Sequence, residues 1–196
     1  MSPSGNRIRQ CGAKPYGIPH PYVSRPICTQ GLNSLYACGM AKLSAGILMF
    51  RAEGPALQML LVHPGGPFWA SKDEGAWSMP KGEYSDGHDP LLAAKREFVE
   101  ELGVAPPQGD YLDLGEIVQP SRKIVTAFAV EGEFDPATLK SNHFEMEWPP
   151  RSGTRQSIPE IDRAGWFGAG EARRKILTGQ APFIDRLLAS LSQARK

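Results

Sequence analysis

The chain reads as an α/β (α+β) protein in which a mixed sheet packs between helices. Three observations predict this class. Two apolar segments around residues 44–63 are joined by a short turn. A helix over residues 91–102 is bracketed by a cap and a glycine. A second strand pair is followed by two helices near the C-terminal end.

In chain order, residues 44–51 and 57–63 are apolar runs separated by Ala52, Glu53, Gly54 and Pro55, and predict two strands. Pro64, Gly65, Gly66 and Pro67 break the second strand, and residues 70–75 form a polar loop. Trp77, Ser78 and Met79 are a short extended piece running into a glycine-bearing turn, Pro80 to Glu83. Asp89 is the expected N-cap of the helix, Pro90 occupies its first position and Gly103 stops it. Residues 111–119 and 123–131 predict an antiparallel pair. Residues 134–160 mix turn formers with aromatics and predict a long loop; a loop that long in a compact domain is functional or mobile. Residues 164–167 predict a short strand. Residues 171–177 and 181–191 predict helices, the second amphipathic through Phe183, Ile184, Leu187, Leu188 and Leu191.

At 196 residues the chain is long enough for one domain with a proper core. Its formal net charge of +1 makes no electrostatic case for a nucleic-acid or membrane partner. The charge is uneven. Residues 1–40 hold no acid, and their bases are Arg7, Arg9, Lys14 and Arg25. This stretch also holds every cysteine (Cys11, Cys28 and Cys38), is rich in Pro, Gly and Ser, and lacks the apolar run of a signal peptide or membrane helix. It reads as a disordered basic arm, as an organelle transit peptide, or as sequence outside the working protein, with Met40 a natural start; the last reading is favoured. Residues 41–196 then form the functional domain. They contain no cysteine, which fits a reducing, cytoplasmic compartment.

The chemistry is concentrated in residues 82–104. Arg96, Glu97, Glu100 and Glu101 crowd one guanidinium and three carboxylates onto a short helix, where residues three and four apart are neighbours. Like charges held that close are costly unless a cation sits among them, and hard oxygen ligands suit Mg2+ or Mn2+. The cluster therefore points to metal-assisted phosphate chemistry.

Gly82, Arg96, Glu97, Phe98, Glu100, Glu101, Gly103 and Val104 are spaced as in the Nudix box, and the chain resembles that hydrolase family. At average residue frequencies the nine-residue tail of the motif arises by chance on the order of once in ten million positions. One position departs: the family's first Glu falls where this chain has His88, flanked by Asp86 and Asp89. That puts a peripheral metal and the loop geometry in question.

The resemblance implies an α/β/α sandwich with a mixed central sheet. It also implies a pyrophosphohydrolase acting on nucleoside polyphosphates as small-molecule substrates. It assigns metal binding to Glu97, Glu100 and Glu101, with a carbonyl ligand from Gly82 or Lys81. The general base is Glu97 or a Glu on a distal loop, for which Glu145, Glu147 and Glu160 are candidates. Arg96 orients a box acid through a charge-assisted pair. Lys81 neutralises phosphate charge or is an exposed turn lysine. Trp69, Trp148, Phe68 and Phe144 are candidates for stacking on a base, and Arg151, Arg122 and Lys123 for meeting distal phosphates. The Pro80-Lys81-Gly82 context is more similar to diadenosine polyphosphate hydrolases, which carry Pro-Lys-Gly, than to sanitisers of mutagenic nucleotides. The alternative is a Nudix module that senses a nucleotide without cleaving it, motivated by His88. An isomerase of the same fold is a remote third reading, since residues 41–196 lack a cysteine.

Overall fold

The computed structural model describes residues 41–53 and 56–194; the basic arm over residues 1–40 lies outside the described residues. The elements are β1 (Leu43–Glu53), β2 (Ala56–Pro64), β3 (Lys81–Tyr84), α1 (Pro90–Leu102), β4 (Leu112–Val118) and β5 (Ile124–Glu131). They continue with β6 (His143–Glu147), β7 (Arg155–Pro159), β8 (Ile161–Gly168), α2 (Ala169–Lys175) and α3 (Ala181–Ala194).

The main sheet runs β4-β5-β1-β2-β8, with β3 on β1. β1 and β5 are parallel, while the other pairs are antiparallel, so the sheet is mixed. Side chains alternate across a strand, and β1 therefore feeds two cores. Ala45, Ile47 and Met49 pack with Ala94, Phe98 and Leu102 of α1. Leu48 and Phe50 pack on the other face with Ala172 of α2 and Phe183, Ile184 and Leu187 of α3. The result is an α/β/α sandwich. Each fully buried aliphatic or aromatic side chain in these layers contributes roughly 1.5–3 kcal/mol.

The register of β1 creates the site. Its first residues, Leu43 to Gly46, pair with β3, and its last, Phe50 to Glu53, pair with β2. Between the two, the Ile47 N–H donates to the Pro80 carbonyl at 3.0 Å, and Val62 and Ser78 exchange backbone bonds of 2.8 and 2.9 Å. β1 and β2 thus diverge, and residues 77–84 wedge between them. The wedge lays Lys81 and Gly82 along α1. Gly46 permits it, because a β-carbon there would stand 2.5 Å from the Pro80 carbonyl oxygen.

α1 starts where its local chemistry dictates. The Asp89 carboxylate accepts from the N–H groups of Leu91 at 2.7 Å and Leu92 at 3.2 Å. The helix ends at Gly103, whose φ of 76° is left-handed.

Two segments differ from the sequence expectation. Residues 81–83 form a strand rather than a turn, because the divergence of β1 and β2 leaves β1 an edge to pair. Residues 134–160 are not one loop. They hold a short 3-10 turn at Pro136–Thr138, capped by Asp135, and the hairpin β6–β7. Phe144, Met146 and Trp148 do alternate with Glu145 and Glu147, but Pro149 and Pro150 cut the pattern to a length that carries little strand signal. Among the described residues no helix is long and apolar enough to cross a membrane.

Candidate active site

α1 presents its acids to β3. The Lys81 backbone N–H donates to Glu101 Oε2 at 3.2 Å. The Glu97 carboxylate lies over Gly82, in the space a β-carbon on that residue would occupy. The Gly82 carbonyl accepts from Ser44 Oγ at 2.8 Å. Ser44 is fully buried, and its trace in the sequence is one hydroxyl in an apolar run. Arg96 donates to the Glu97 carboxylate and, at 3.1 Å, to the Glu83 carbonyl, while its Nε stands 3.8 Å from Glu100 Oε1. The Glu97 side chain is 13% exposed, against 42% for Glu100, so the helix grades from a buried acid to a solvated one.

The electrostatics follow from that burial. Desolvation pushes Glu101 up to about 8, against the opposing pull of Lys81, and Glu97 and Glu160 add repulsion. Glu97 is also raised, first by burial, with Arg96 opposing and Glu100 and Glu160 adding to the rise. Burial lowers Lys81; the carboxylates of Glu101, Glu97 and Glu83 oppose that, while Lys123 adds to it. Lys81 is therefore a half-buried cation among acids rather than an exposed turn lysine. Glu83, next to Gly82, is engaged elsewhere: Lys123 stands 3.2 Å and Lys42 3.5 Å from its Oε1, and Lys123 holds its carboxyl below the usual range.

Of the three distal acids, Glu160 is the one whose charge acts on Glu97 and Glu101. Its backbone fixes it there. The Glu160 N–H donates to the Asn142 carbonyl at 2.8 Å, and its carbonyl accepts from Gly65 at 2.9 Å. Asn142 is tied to α1 in turn, donating to the Glu100 carbonyl at 3.1 Å. Glu147 accepts from the Gly153 N–H at 2.8 Å within the hairpin turn, and Glu145 is exposed on β6. His88 is exposed in the loop before α1, its Nδ1 3.2 Å from the Ser85 carbonyl oxygen, and it lines a cleft of about 350 Å³ with Tyr84, Leu92 and Arg96.

The structure thus gathers Gly82, Lys81, Arg96, Glu97, Glu100, Glu101 and Glu160. The other sequence candidates lie on separate features. Trp69 is partly buried against the core on the α2 and α3 side, with the Lys72 ammonium 4.4 Å above its ring. Trp148 meets Phe68 edge to face at 5.0 Å, and Arg151 is exposed in the hairpin turn.

Among the described residues no three His, Cys, Asp or Glu side chains converge as a preformed metal cage. Glu97 and Glu100 turn to Arg96 instead. The donor set nevertheless suits a hard divalent cation: three carboxylates on adjacent turns, two of them held above their usual range by burial and mutual repulsion.

Residues 40–187 match the family model of the NUDIX domain. The chain belongs to the Nudix family. It is a Nudix hydrolase, acting on phosphoanhydride bonds. Members of the family generally need a divalent cation, usually Mg2+. Solved structures share the fold. A C. elegans Ap4A hydrolase in a binary complex is 19% identical with a TM-score of 0.52, over 76% of this chain and 98% of that one. The NUDIX domain of Shewanella oneidensis NrtR complexed with ADP ribose is 14% identical with a TM-score of 0.52, over 77% and 88%. A mutT/nudix family protein from Listeria innocua is 16% identical with a TM-score of 0.52, over 78% and 95%. No curated protein matches the chain.

Proposed function

We propose that this Nudix domain is a pyrophosphohydrolase of nucleoside polyphosphates that works with Mg2+ or Mn2+, on a nucleoside triphosphate or a diadenosine-tetraphosphate-like substrate. The observation that carries the reading is the acid cluster itself. Glu97 and Glu101 are packed against Gly82 and Lys81, and burial makes their charges hard to hold without a cation. Bound divalent ions supply neutralisation of the phosphate oxygens and a more acidic water.

The chain's own groups do the rest. Glu97, Glu100 and Glu101 hold the ions. Arg96 keeps Glu97 and Glu100 aimed, and Lys81 balances charge beneath the phosphates. Glu160 takes the proton of the attacking water as its oxygen bonds to phosphorus. The bond from that phosphorus to the bridging oxygen breaks, and the leaving phosphate departs with the bridging oxygen and its electron pair. A base placed for this role contributes about 10²–10⁴-fold. The Pro80-Lys81-Gly82 context supports the diadenosine-tetraphosphate end of the range.

The test is a product assay of the full chain with Mg2+ or Mn2+ on diadenosine tetraphosphate, nucleoside triphosphates, an oxidised guanine triphosphate and ADP-ribose. Cleavage of diadenosine tetraphosphate to ATP and AMP supports the reading. Cleavage of none of them contradicts it.

A further inference from the structure

The hairpin β6–β7 has two unlike faces. Glu145 and Glu147 alternate with Phe144 and Met146 along β6, and Trp148 follows in the same alternation. Phe144 is directly opposite Ile158, which shares its face and is buried against Gly66. This face therefore looks onto the loop after β2, where Phe68 meets Trp148 at 5.0 Å and 79°. The apolar row is not sealed. Phe68 is 53% exposed and Phe144 37% exposed.

The base of the hairpin is tied to the acid-bearing helix, where the Asn142 N–H donates to the Glu100 carbonyl. Asn142 and Glu160 pair at the base of the hairpin, and Glu160 is the residue whose charge reaches Glu97 and Glu101. Strand residues rise about 3.3 Å each, so the row climbs in ~7 Å steps to Trp148, roughly 20 Å from its base. The loop under it is anchored. Buried His63 sets one ring nitrogen 2.7 Å from Asp162 Oδ1 and the other 2.9 Å from the Lys72 carbonyl oxygen. Arg151, exposed in the hairpin turn, makes no hydrogen bond or ion pair among the described residues.

We infer that Phe68 and Trp148 form a nucleobase subsite, joined to the acids by the Phe144–Met146 row. The inference rests on the nucleotide reading above and deepens it. An aromatic pair at one end, with Phe68 exposed and Trp148 half-buried, and phosphate chemistry at the other match the two ends of a nucleotide. The reach between them favours substrates with several linked phosphates over a short diphosphate. Phe68, not Trp69, is the stacking group, because Trp69 is spent on the core.

The test measures dissociation constants of the full chain with Mg2+ for two probes: a methylene-bridged, non-hydrolysable diadenosine tetraphosphate and inorganic tripolyphosphate, which has no base. Stacking energetics set the expected effect: Phe68→Ala and Trp148→Ala each weaken the dinucleotide probe roughly tenfold. Trp148→Phe restores most of the loss, and tripolyphosphate binding does not change. Unchanged dinucleotide affinity in both alanine variants overturns the subsite. So does equal loss for both probes, which would mean the hairpin is only structural. Geranyl diphosphate binding more tightly than the dinucleotide through the same residues overturns the nucleobase assignment. A wild-type chain that binds the analogue through Phe68 and Trp148 but never cleaves the parent dinucleotide overturns the hydrolase reading and leaves the subsite standing.

Discussion

The Glu97 carboxylate fills the space where a β-carbon on Gly82 would stand. The glycine of the motif is thus a steric requirement of the acid that faces it across the β3–α1 contact. Gly82→Ala must move Glu97, the more buried partner of Arg96, and displacements of about 1 Å at a reacting centre cost on the order of 10²-fold. We expect kcat/KM to fall by about that factor while the melting temperature shifts by a few degrees. Steady-state kinetics alongside a thermal melt checks this.

Glu160 is held by backbone bonds, one donated to the Asn142 carbonyl and one accepted from the Gly65 N–H, so its carboxylate changes without moving the chain. Glu160→Gln is expected to lower kcat about 10²-fold with little change in KM. Glu145→Gln and Glu147→Gln should behave as wild type. Equal effects from all three would remove Glu160 from the role of base.

Glu101 gives the metal-free protein a pH dependence of stability. Its folded pKa, about 8, lies above the ordinary 4.5, so the native state binds a proton that the unfolded state has released. The stabilisation is fully present below 4.5 and is lost as pH rises through about 8. A divalent cation needs the carboxylate charged, so adding Mg2+ below pH 8 should release a proton. Calorimetry in two buffers of different ionisation enthalpy reads that release, and Glu101→Gln should abolish most of it.

Lys81 pulls Glu101 down against the burial that raises it. Lys81→Met removes that pull. The acid should then titrate still higher, and the rising limb of activity should move to higher pH. At pH 7 the rate is expected to drop about tenfold, recovering in part at pH 9. A uniform loss at all pH values would mean that Lys81 acts on the substrate alone.

Much of this site is legible in the sequence because its signals are local. Asp89, Pro90 and Gly103 mark both ends of α1, and helical spacing places Glu97, Glu100 and Glu101 on adjacent turns. The rest depends on pairing across the chain. β3 is a strand only because β1 and β2 diverge, which no window around residue 82 contains. Ser44 reaches the Gly82 carbonyl across 38 residues, and Glu160 stands among candidates that look alike until the hairpin brings it to the acids. Trp69 and Phe68 are adjacent, yet one faces the core and the other solvent, a difference set by the packing of the loop.

The most direct test of the account is turnover of diadenosine tetraphosphate and ATP by Glu100→Gln and Glu101→Gln, with circular dichroism to show that both fold. The account predicts loss of product formation by on the order of 10²-fold or more in each, with the fold intact. Full activity in both variants would contradict it and place the chemistry outside the acid cluster.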